Sequence, residues 1–215
     1  MIENDIDESG SADTLIAGQV SEKALLSTGI RVGTLVKTKD MSSFISRTRP
    51  DGLHVIDTGK TLSRIESAGR FLSRISPKGI VAYSSRDYGK TPIEKFCELT
   101  ETISVTGRFM PGTFTNPLYP GHIDPEIVIV SDPSMDSQAV TEATTIGIPV
   151  LAICDTDNVT SNIDYVIPAN NRGRKALAAV FWLLARSTLI NSGKLTASSS
   201  MTYTIEDFET QILNL

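Results

Sequence analysis

The feature that most constrains the fold is an alternation, between about residues 50 and 191, of short apolar runs with segments of helical periodicity. The runs are apolar at successive positions, so both faces of each strand require cover. Strands of this kind, separated by helices, form a parallel sheet covered on both sides. The sequence therefore predicts an α/β fold: a three-layer α/β/α sandwich with a mostly parallel, doubly wound sheet of about five strands. The predicted strands cover residues 53–58, 79–84, 103–109, 126–132 and 149–155.

Helical periodicity is clearest between the first two strands, where Leu62, Ile65, Ala68 and Leu72 recur at helical spacing. A second predicted helix carries Pro92 near its start, where the missing amide hydrogen costs little. A short run at 164–169 is predicted as an edge strand. The predicted helices cover residues 59–74, 91–100, 136–147 and 171–190, the last being the longest.

The rest of the chain divides into three segments. Residues 1–20 are acidic and small, which predicts a flexible tail. Residues 21–50 are predicted as an irregular basic segment of the single α/β domain, which extends over 21–191. Residues 192–215 combine a polar linker with a short amphipathic helix that would dock on the domain. The apolar side of that helix would consist of Ile205, Phe208, Ile212 and Leu215.

Charge is distributed unevenly along the chain, although the net charge is only −5. Residues 1–13 hold five acids and no base, and residues 23–108 hold fifteen bases against eight acids. Residues 109–171 hold eight acids and neither Lys nor Arg. Such polarity predicts two faces with different partners, the acidic one turned toward basic proteins. The alternative is that folding intermixes the blocks and leaves ordinary solvated surface.

Several function classes find no support in the sequence. The longest apolar run, Ala176–Ala185, is about half of what a bilayer span requires, and the acidic start of the chain is unlike a signal peptide. We therefore expect a cytoplasmic protein without a membrane partner. Cys97 and Cys154 lie in apolar segments and are predicted to be buried free thiols. Together with His54 and His122 they lack the spacing of a zinc site.

The tripeptide GKT occurs twice between a predicted strand and a predicted helix, at Gly59 and at Gly89. This is the position of a phosphate-binding loop, but the first glycine of that motif is replaced by His54 and by Ser84. Without it the backbone amides cannot curl round a phosphate. Helix-capping turns explain both copies better.

Three aspartates, Asp57, Asp132 and Asp155, follow predicted strands, where ligand sites of doubly wound sheets lie. Together they could hold Mg²⁺ against a phosphate, which makes a nucleotide- or phosphate-ester-binding enzyme the alternative function. Asp is also a common turn and N-cap residue. No nucleophile or base stands beside these aspartates, and no G-x-S-x-G motif is present.

The longest predicted helix begins with Arg172, Arg174 and Lys175, where the helix dipole is already positive. Asn170 or Asn171 can cap the backbone but cannot cancel three like charges. The sequence therefore predicts an outside anion here, of which phosphate is the obvious candidate. The alternative is that these long side chains extend into water.

Several long motifs, in order, resemble the second protein of the small ribosomal subunit, whose eukaryotic members are called SA or laminin-receptor precursor. They are "RPDGLHVIDTGKT", "GRFMPGTFTNP", "EIVIVSDPSMDSQAVTEATTIGIPVLAICDTDN" and "DYVIPANNRGRKALAAVFWLLAR". The resemblance covers about residues 21–191. Only "LYPGHIDP" separates the second motif from the next strand, where bacterial members carry a helical hairpin, and the long carboxyl-terminal extension of animal members is missing. An archaeal-type member is therefore expected.

The resemblance implies a flavodoxin-like fold and a structural, non-enzymatic constituent of the small ribosomal subunit. Its partners would be ribosomal RNA and neighbouring ribosomal proteins, with no cofactor, metal or small-molecule substrate. Phosphate contacts are expected from the basic segment and from a second cluster that joins Arg108 to the helix start. The stiff loop 107–121 would add uncharged hydrogen bonds and a stacking face at Phe114. The predicted RNA-binding residues are Arg31, Lys37, Lys39, Arg47, Arg49, Arg108, Thr113, Asn116, Arg172, Arg174 and Lys175.

Overall fold

The computed structural model of the chain describes residues 22–196, 199 and 201–211. Its strands, in chain order, are β1 (Ile45–Thr48), β2 (His54–Ile56), β3 (Ile80–Ser84), β4 (Ile103–Thr106), β5 (Ile127–Val130), β6 (Val150–Cys154) and β7 (Tyr165–Pro168). Its helices are α1 (Glu22–Ser27), α2 (Thr58–Leu72), α3 (Asp87–Thr100), α4 (Ser137–Ile146) and α5 (Arg174–Asn191). Short 3-10 turns occupy Asp40–Phe44, Pro77–Gly79 and Glu206–Phe208.

The central sheet has five strands in the order β4-β3-β5-β6-β7, and every neighbouring pair is parallel. Strands β3, β5 and β6 are buried along their whole length, which explains their unbroken apolar runs. The direction of winding reverses between β3 and β5. The predicted α/β sandwich with a parallel, doubly wound sheet is thus confirmed.

One predicted strand does not belong to this sheet. Residues 53–58 contain β2, which pairs antiparallel with β1 in a separate two-stranded sheet. The fifth strand of the central sheet is instead β7, at 165–168, at the edge expected for the run 164–169. A buried run of three residues fits either kind of pairing, so its sequence could not show the partner. Strand β1 also lies within the segment that was expected to be irregular.

The two faces of the sheet carry different layers. Helices α2, α3 and α5 cover one face, and α5 packs between the other two. The second face is covered by α4, the loop around Phe109 and Phe114, and the turn containing Met41. Every residue of α5 from Ala176 to Leu189 is buried, because the carboxyl-terminal segment also packs on its outer side.

Two details differ from the sequence predictions. Helix α3 begins at Asp87, four residues earlier than expected, so Pro92 lies inside the helix. The carboxyl-terminal segment forms a 3-10 turn at Glu206–Phe208, and Phe208 is fully buried against α5. Two residues of the predicted amphipathic helix, Ile212 and Leu215, lie outside the described residues, as does the predicted tail 1–20.

Both cysteines are free and buried, as predicted. Burial raises the pKa of the Cys97 thiol to about 11, so it is protonated and unreactive at neutral pH. Of the helices in the described ranges, none combines the length and the apolar character needed to traverse a bilayer.

Candidate nucleic-acid interface

Three of the predicted RNA-binding arginines converge on one cleft beside the β1–β2 hairpin. The cleft has a volume of about 140 Å³ and is here called the arginine cleft. Its lining residues are Arg31, Val32, Arg47, Arg49, Leu53, His54 and Val55. Positive charge therefore surrounds a space large enough for a small anionic group.

Backbone pairing on both sides of β2 brings the arginines together. On one side Arg47 lies opposite Val55 in the antiparallel pair. On the other side Val32 bridges to the same Val55, which brings the neighbouring Arg31 to β2. The turn after β1 is closed by a hydrogen bond of 2.8 Å from the Arg49 amide to the Leu53 carbonyl. Backbone hydrogen bonds thus hold all three arginine residues beside β2.

The charges of the arginine cleft are mostly uncompensated. Arg49 lies 3.7 Å from Asp51, and both side chains are about half exposed, so this pair is weak. Arg31 and Arg47 form no ion pair with any residue in the described ranges. An anion bound in the cleft would relieve the repulsion between the arginines, and a phosphate fits the planar fork of a guanidinium group.

Lys37 and Lys39 do not line this cleft. They are exposed on the following segment, on either side of Thr38. The Thr38 hydroxyl donates to the Asn158 carbonyl and its amide to the Thr156 carbonyl, both at 2.9 Å. These bonds attach the segment to the carboxyl edge of the sheet, where both lysines remain accessible.

The start of α5 carries the second predicted cluster, and two of its three charges are already paired. Arg172 forms an ion pair with Asp157, and the Arg174 Nε lies 2.6 Å from a carboxylate oxygen of Glu209. The expectation that only an outside anion could offset these charges is therefore wrong for both arginines. Lys175 is exposed and forms no ion pair with any residue of the described part.

The start of α5 is connected to the arginine cleft. The Asn170 side-chain oxygen accepts from the Arg172 and Gly173 backbone amides at 2.9 Å, which fixes the turn before the helix. The N-cap itself is Gly173, which has no side-chain cap. The Asn170 backbone amide donates to the carbonyl of Ile30, the residue before Arg31, at 2.9 Å. The two groups therefore form one surface, here called the basic end, which consists of Arg31, Arg47, Arg49, Arg172, Arg174 and Lys175.

Arg108 does not belong to the basic end. It follows β4, at one edge of the sheet, whereas the start of α5 follows β7 at the other edge. Neighbouring strands lie about 4.8 Å apart, so the ends of β4 and β7 are separated by roughly 19 Å. The prediction that Arg108 joins the helix start in one cluster is wrong, because the strand order could not be deduced from the charge pattern.

The loop 107–121 is more buried than predicted. Phe114 is 2% exposed and packs edge-on against Phe109, with the ring centroids 5.1 Å apart, so it offers no stacking face. Thr113 is also buried, and its hydroxyl donates to the Met110 carbonyl at 2.6 Å. Asn116 is exposed, and its oxygen accepts from the Leu118 amide. Asn116 alone of the two predicted loop residues has an accessible side chain.

Comparison with known proteins identifies the family. The sequence profile described as "Ribosomal protein S2" matches residues 25–118 and 121–190, which is most of the chain. The chain belongs to the ribosomal protein S2 family.

Curated relatives of the S2 family agree with this assignment. A "Small ribosomal subunit protein uS2" from Nitrosopumilus maritimus is 53% identical over 191 residues, covering 89% of this chain and 92% of the relative. Proteins of the same name from Haloquadratum walsbyi and Thermoplasma volcanium are 49% and 44% identical. These matches cover 87% and 90% of this chain, and 65% and 97% of the respective relatives. The relatives are archaeal, as the motifs predicted, and each is named as a protein of the small ribosomal subunit.

In this S2-family chain the strand-end aspartates do not converge on a metal site. Asp57 follows β2, outside the central sheet, and its side chain caps α2 by accepting from the Gly59 and Lys60 amides. Asp132 forms an ion pair with Arg86 and accepts from the Asn158 amide at 3.1 Å. The described residues contain no group of three or more His, Cys, Asp or Glu side chains placed to share a metal ion.

Internal hydrogen bonds fill the point where the sheet reverses, the usual ligand position of this fold. The Ser84 and Ser131 hydroxyl groups, at the ends of β3 and β5, lie 2.6 Å apart. Asp136 accepts from the Ser85 amide at 2.9 Å and the Ser85 hydroxyl at 2.6 Å. Gly89, from the second GKT, packs so closely that an added Cβ would lie 2.3 Å from the Ser84 hydroxyl oxygen. This edge is occupied by the chain itself.

The two GKT copies therefore have structural roles. The first forms the capped start of α2, as predicted. The second lies inside the first turns of α3, which begins at Asp87 and has no side-chain cap, so a capping turn does not explain this copy. Close packing of Gly89 on β3 explains the glycine instead.

The acidic block 109–171 does not form an eight-charge surface. Four of its eight acids are buried, and they accept hydrogen bonds within the chain. The buried four are Asp132, Asp136, Glu142 and Asp155. Asp157 is paired with Arg172, which leaves Asp124, Glu126 and Asp164 exposed. Counting charges along the sequence overestimated the negative charge on the surface, because the sequence does not show which acids are buried.

Glu142 is a structurally important residue that the sequence reasoning missed. Its carboxylate accepts from the Gly112 amide at 2.8 Å and the Phe114 amide at 3.1 Å, which ties the loop to α4. Burial alone would raise the pKa of Glu142, but these hydrogen bonds and one from Gln138 together lower it. The available signal was a lone acid next to Ala139 and Ala143 on the inward side of the helix.

Asp155 provides a test of the buried network through pH. Burial raises its pKa to about 6, with Asp157 also raising it, against hydrogen bonding from Thr156 and the charge of Arg172. Because the folded-state pKa exceeds the unfolded one, the proton is bound more tightly in the native state, and stability falls as the pH rises from about 4 to about 6. Asp155→Asn keeps an oxygen for the Thr156 amide and removes this dependence.

Urea unfolding of both chains at several pH values measures the effect. We expect the stability of Asp155→Asn, relative to the parent chain, to rise by about 2 kcal/mol between pH 4 and pH 7. Asp124→Asn, at an exposed position of the same block, is the matched control and should show no such rise. A pH-independent difference for Asp155→Asn would contradict the buried-carboxyl interpretation.

Proposed function

We propose that the chain is a structural component of the small ribosomal subunit that binds ribosomal RNA through the basic end and touches neighbouring ribosomal proteins elsewhere on its surface. The observation that carries the RNA contact is the arginine cleft, where three arginines surround a space and two have no carboxylate partner among the described residues. Such groups bind phosphates and fix the position of a protein on RNA without reading its sequence. The chain carries out no reaction in this role.

The family and the fold support this proposal from two sides. The relatives are named for the small ribosomal subunit. The position where a doubly wound sheet would hold a substrate is filled by Ser84, Ser131 and Asp136. The exposed cations of the basic end act together with the exposed Lys37 and Lys39. They supply the long-range electrostatic attraction that RNA binding requires.

Sucrose-gradient sedimentation of a cell lysate, probed for this chain, tests the proposal. The chain should co-sediment with small subunits at low and moderate salt and leave them gradually as the salt concentration rises. Sedimentation as a free protein under all conditions would refute the ribosomal assignment. Magnesium-dependent binding of nucleotide, lost in Asp132→Asn, would point instead to the enzyme alternative.

Lys175 and Glu209 form a matched pair of tests at the start of α5. Lys175→Glu removes a cation that has no ion-pair partner among residues 22–196, 199 and 201–211, so affinity for small-subunit RNA should fall about tenfold and the salt dependence should become shallower. Glu209→Gln releases Arg174 from its carboxylate, so affinity should rise by a few fold. Filter binding over a salt series measures both. Equal affinities of the two variants would mean that the helix start does not contact RNA.

A further inference from the structure

The exposed acids that remain in block 109–171 include one, Asp164, that lies in an open groove. The groove has a volume of about 410 Å³, larger than the arginine cleft. Its lining residues are Thr144, Gly147, Ile148, Pro149, Asn162, Ile163 and Asp164. All of them come from the part of the chain that contains neither Lys nor Arg.

Two independent features make this groove attractive to a cation. The ten-residue helix α4 ends here, with Gly147 as its left-handed C-cap and no basic residue in its last turn. The carboxyl end of a helix carries partial negative charge. The Asp164 carboxylate adds a full charge, held in place because one oxygen accepts from the Val150 amide at 2.8 Å.

The residues that line the groove favour one kind of cation over another. Ile148, Pro149 and Ile163 give it apolar sides, which suit the methylene stem of a long basic side chain. A hydrated metal ion needs several oxygen ligands, whereas among the described residues Asp164 is the only carboxylate in the lining. An RNA phosphate would be repelled by the same carboxylate.

We propose that the groove between the end of α4 and the start of β7 receives a lysine or arginine side chain from a neighbouring protein. That this neighbour is a ribosomal protein rests on the proposed function. The groove borders the beginnings of β6 and β7, so it lies where the strands of the central sheet begin. The basic end lies on the opposite side, where the strands end. The RNA contacts thus lie at the carboxyl ends of the strands and the protein contact at their amino ends.

A titration of the full chain with N-acetyl-arginine amide, followed by amide NMR shifts, tests the groove without ribosomes. The amides of Gly147, Asn162 and Asp164 should shift, and N-acetyl-norleucine amide, which lacks the charge, should leave them unchanged. Asp164→Asn keeps an oxygen for the Val150 amide and should weaken binding about three- to fivefold. Asp124→Asn, an exposed acid outside the groove, should bind like the parent chain. Equal shifts by both probes, or none, would overturn the proposal.

A photo-crosslinker at Ile146, which is 40% exposed and adjoins the groove, identifies the occupant in gradient-purified small subunits. The expected product joins this position to a peptide of another ribosomal protein that carries a Lys or Arg at the junction, with at least a threefold lower yield in Asp164→Asn. Adducts to RNA, to a peptide without a basic residue, or no adduct at all, would refute it. Absence of the chain from subunits would instead be a failure of the proposed function.

Discussion

Reversing two charges in the arginine cleft, with Arg31→Glu and Arg47→Glu together, should reduce affinity for small-subunit RNA about a hundredfold at moderate salt. Each arginine lies at the cleft and has no carboxylate partner in the part of the chain that the structure describes, so reversal removes a phosphate contact and adds a repulsion. Both positions are at least partly exposed, so the core is untouched and the fold should survive. Reconstitution of small subunits with a limiting amount of the variant measures incorporation directly.

A matched control changes two charges near the amino end of β3, away from the arginine cleft. Arg74→Glu with Lys78→Glu changes the same number of charges at two exposed positions, after α2 and before β3. If RNA binding depends on the place of the charges, the control should lose only a few fold in affinity. A similar loss in both double variants would mean that net charge alone governs binding and that the cleft has no special role.

Replacing Asp136 by alanine should lower the free energy of unfolding by about 3 kcal/mol. This side chain is 1% exposed and accepts from the Ser85 amide and hydroxyl, the Ser131 hydroxyl and the Asp132 amide. The hydroxyl groups can rotate to other acceptors, but the two amides would be left without a partner. Urea unfolding monitored by circular dichroism gives the free energy.

Two variants make the result specific. Asp136→Asn keeps one acceptor oxygen, and because burial raises the pKa of Asp136 the neutral amide is tolerated, so its loss should be near 1 kcal/mol. Asp124→Ala, at an exposed position, should change stability by less than about 0.5 kcal/mol. If Asp136→Ala were as mild as Asp124→Ala, the hydrogen-bond network at the reversal point of the sheet would not support the fold.

Much of the fold could be predicted from the sequence because its signals are local. Four of the five central strands are runs of apolar residues, and α5 contains an apolar stretch that is longer than any strand. The partner of β2 could not be predicted, since His54, Val55 and Ile56 are buried equally well in either kind of sheet. Pairing is decided by β1 and by the segment at Val32, which carry no periodic signal.

The candidate site was predictable in composition but not in arrangement. The basic segment was found by counting charges, whereas the convergence of Arg31, Arg47 and Arg49 depends on backbone pairing. The partners of Arg172 and Arg174 lie 15 and 35 residues away, so no local pattern could reveal them. Loop residues such as Thr113 were misplaced because a Gly- and Pro-rich segment resembles surface even where tertiary contacts bury it.

The most direct test of RNA binding by the basic end is mass-spectrometric mapping of ultraviolet-induced RNA adducts on gradient-purified small subunits. Nucleotide adducts should fall on peptides that contain Arg31, the hairpin 45–56 and residues 170–175, and the groove at Asp164 should carry none. Subunits that contain the chain but show adducts only at the groove beside Asp164, with the basic end unmodified, would contradict the proposed orientation on the RNA.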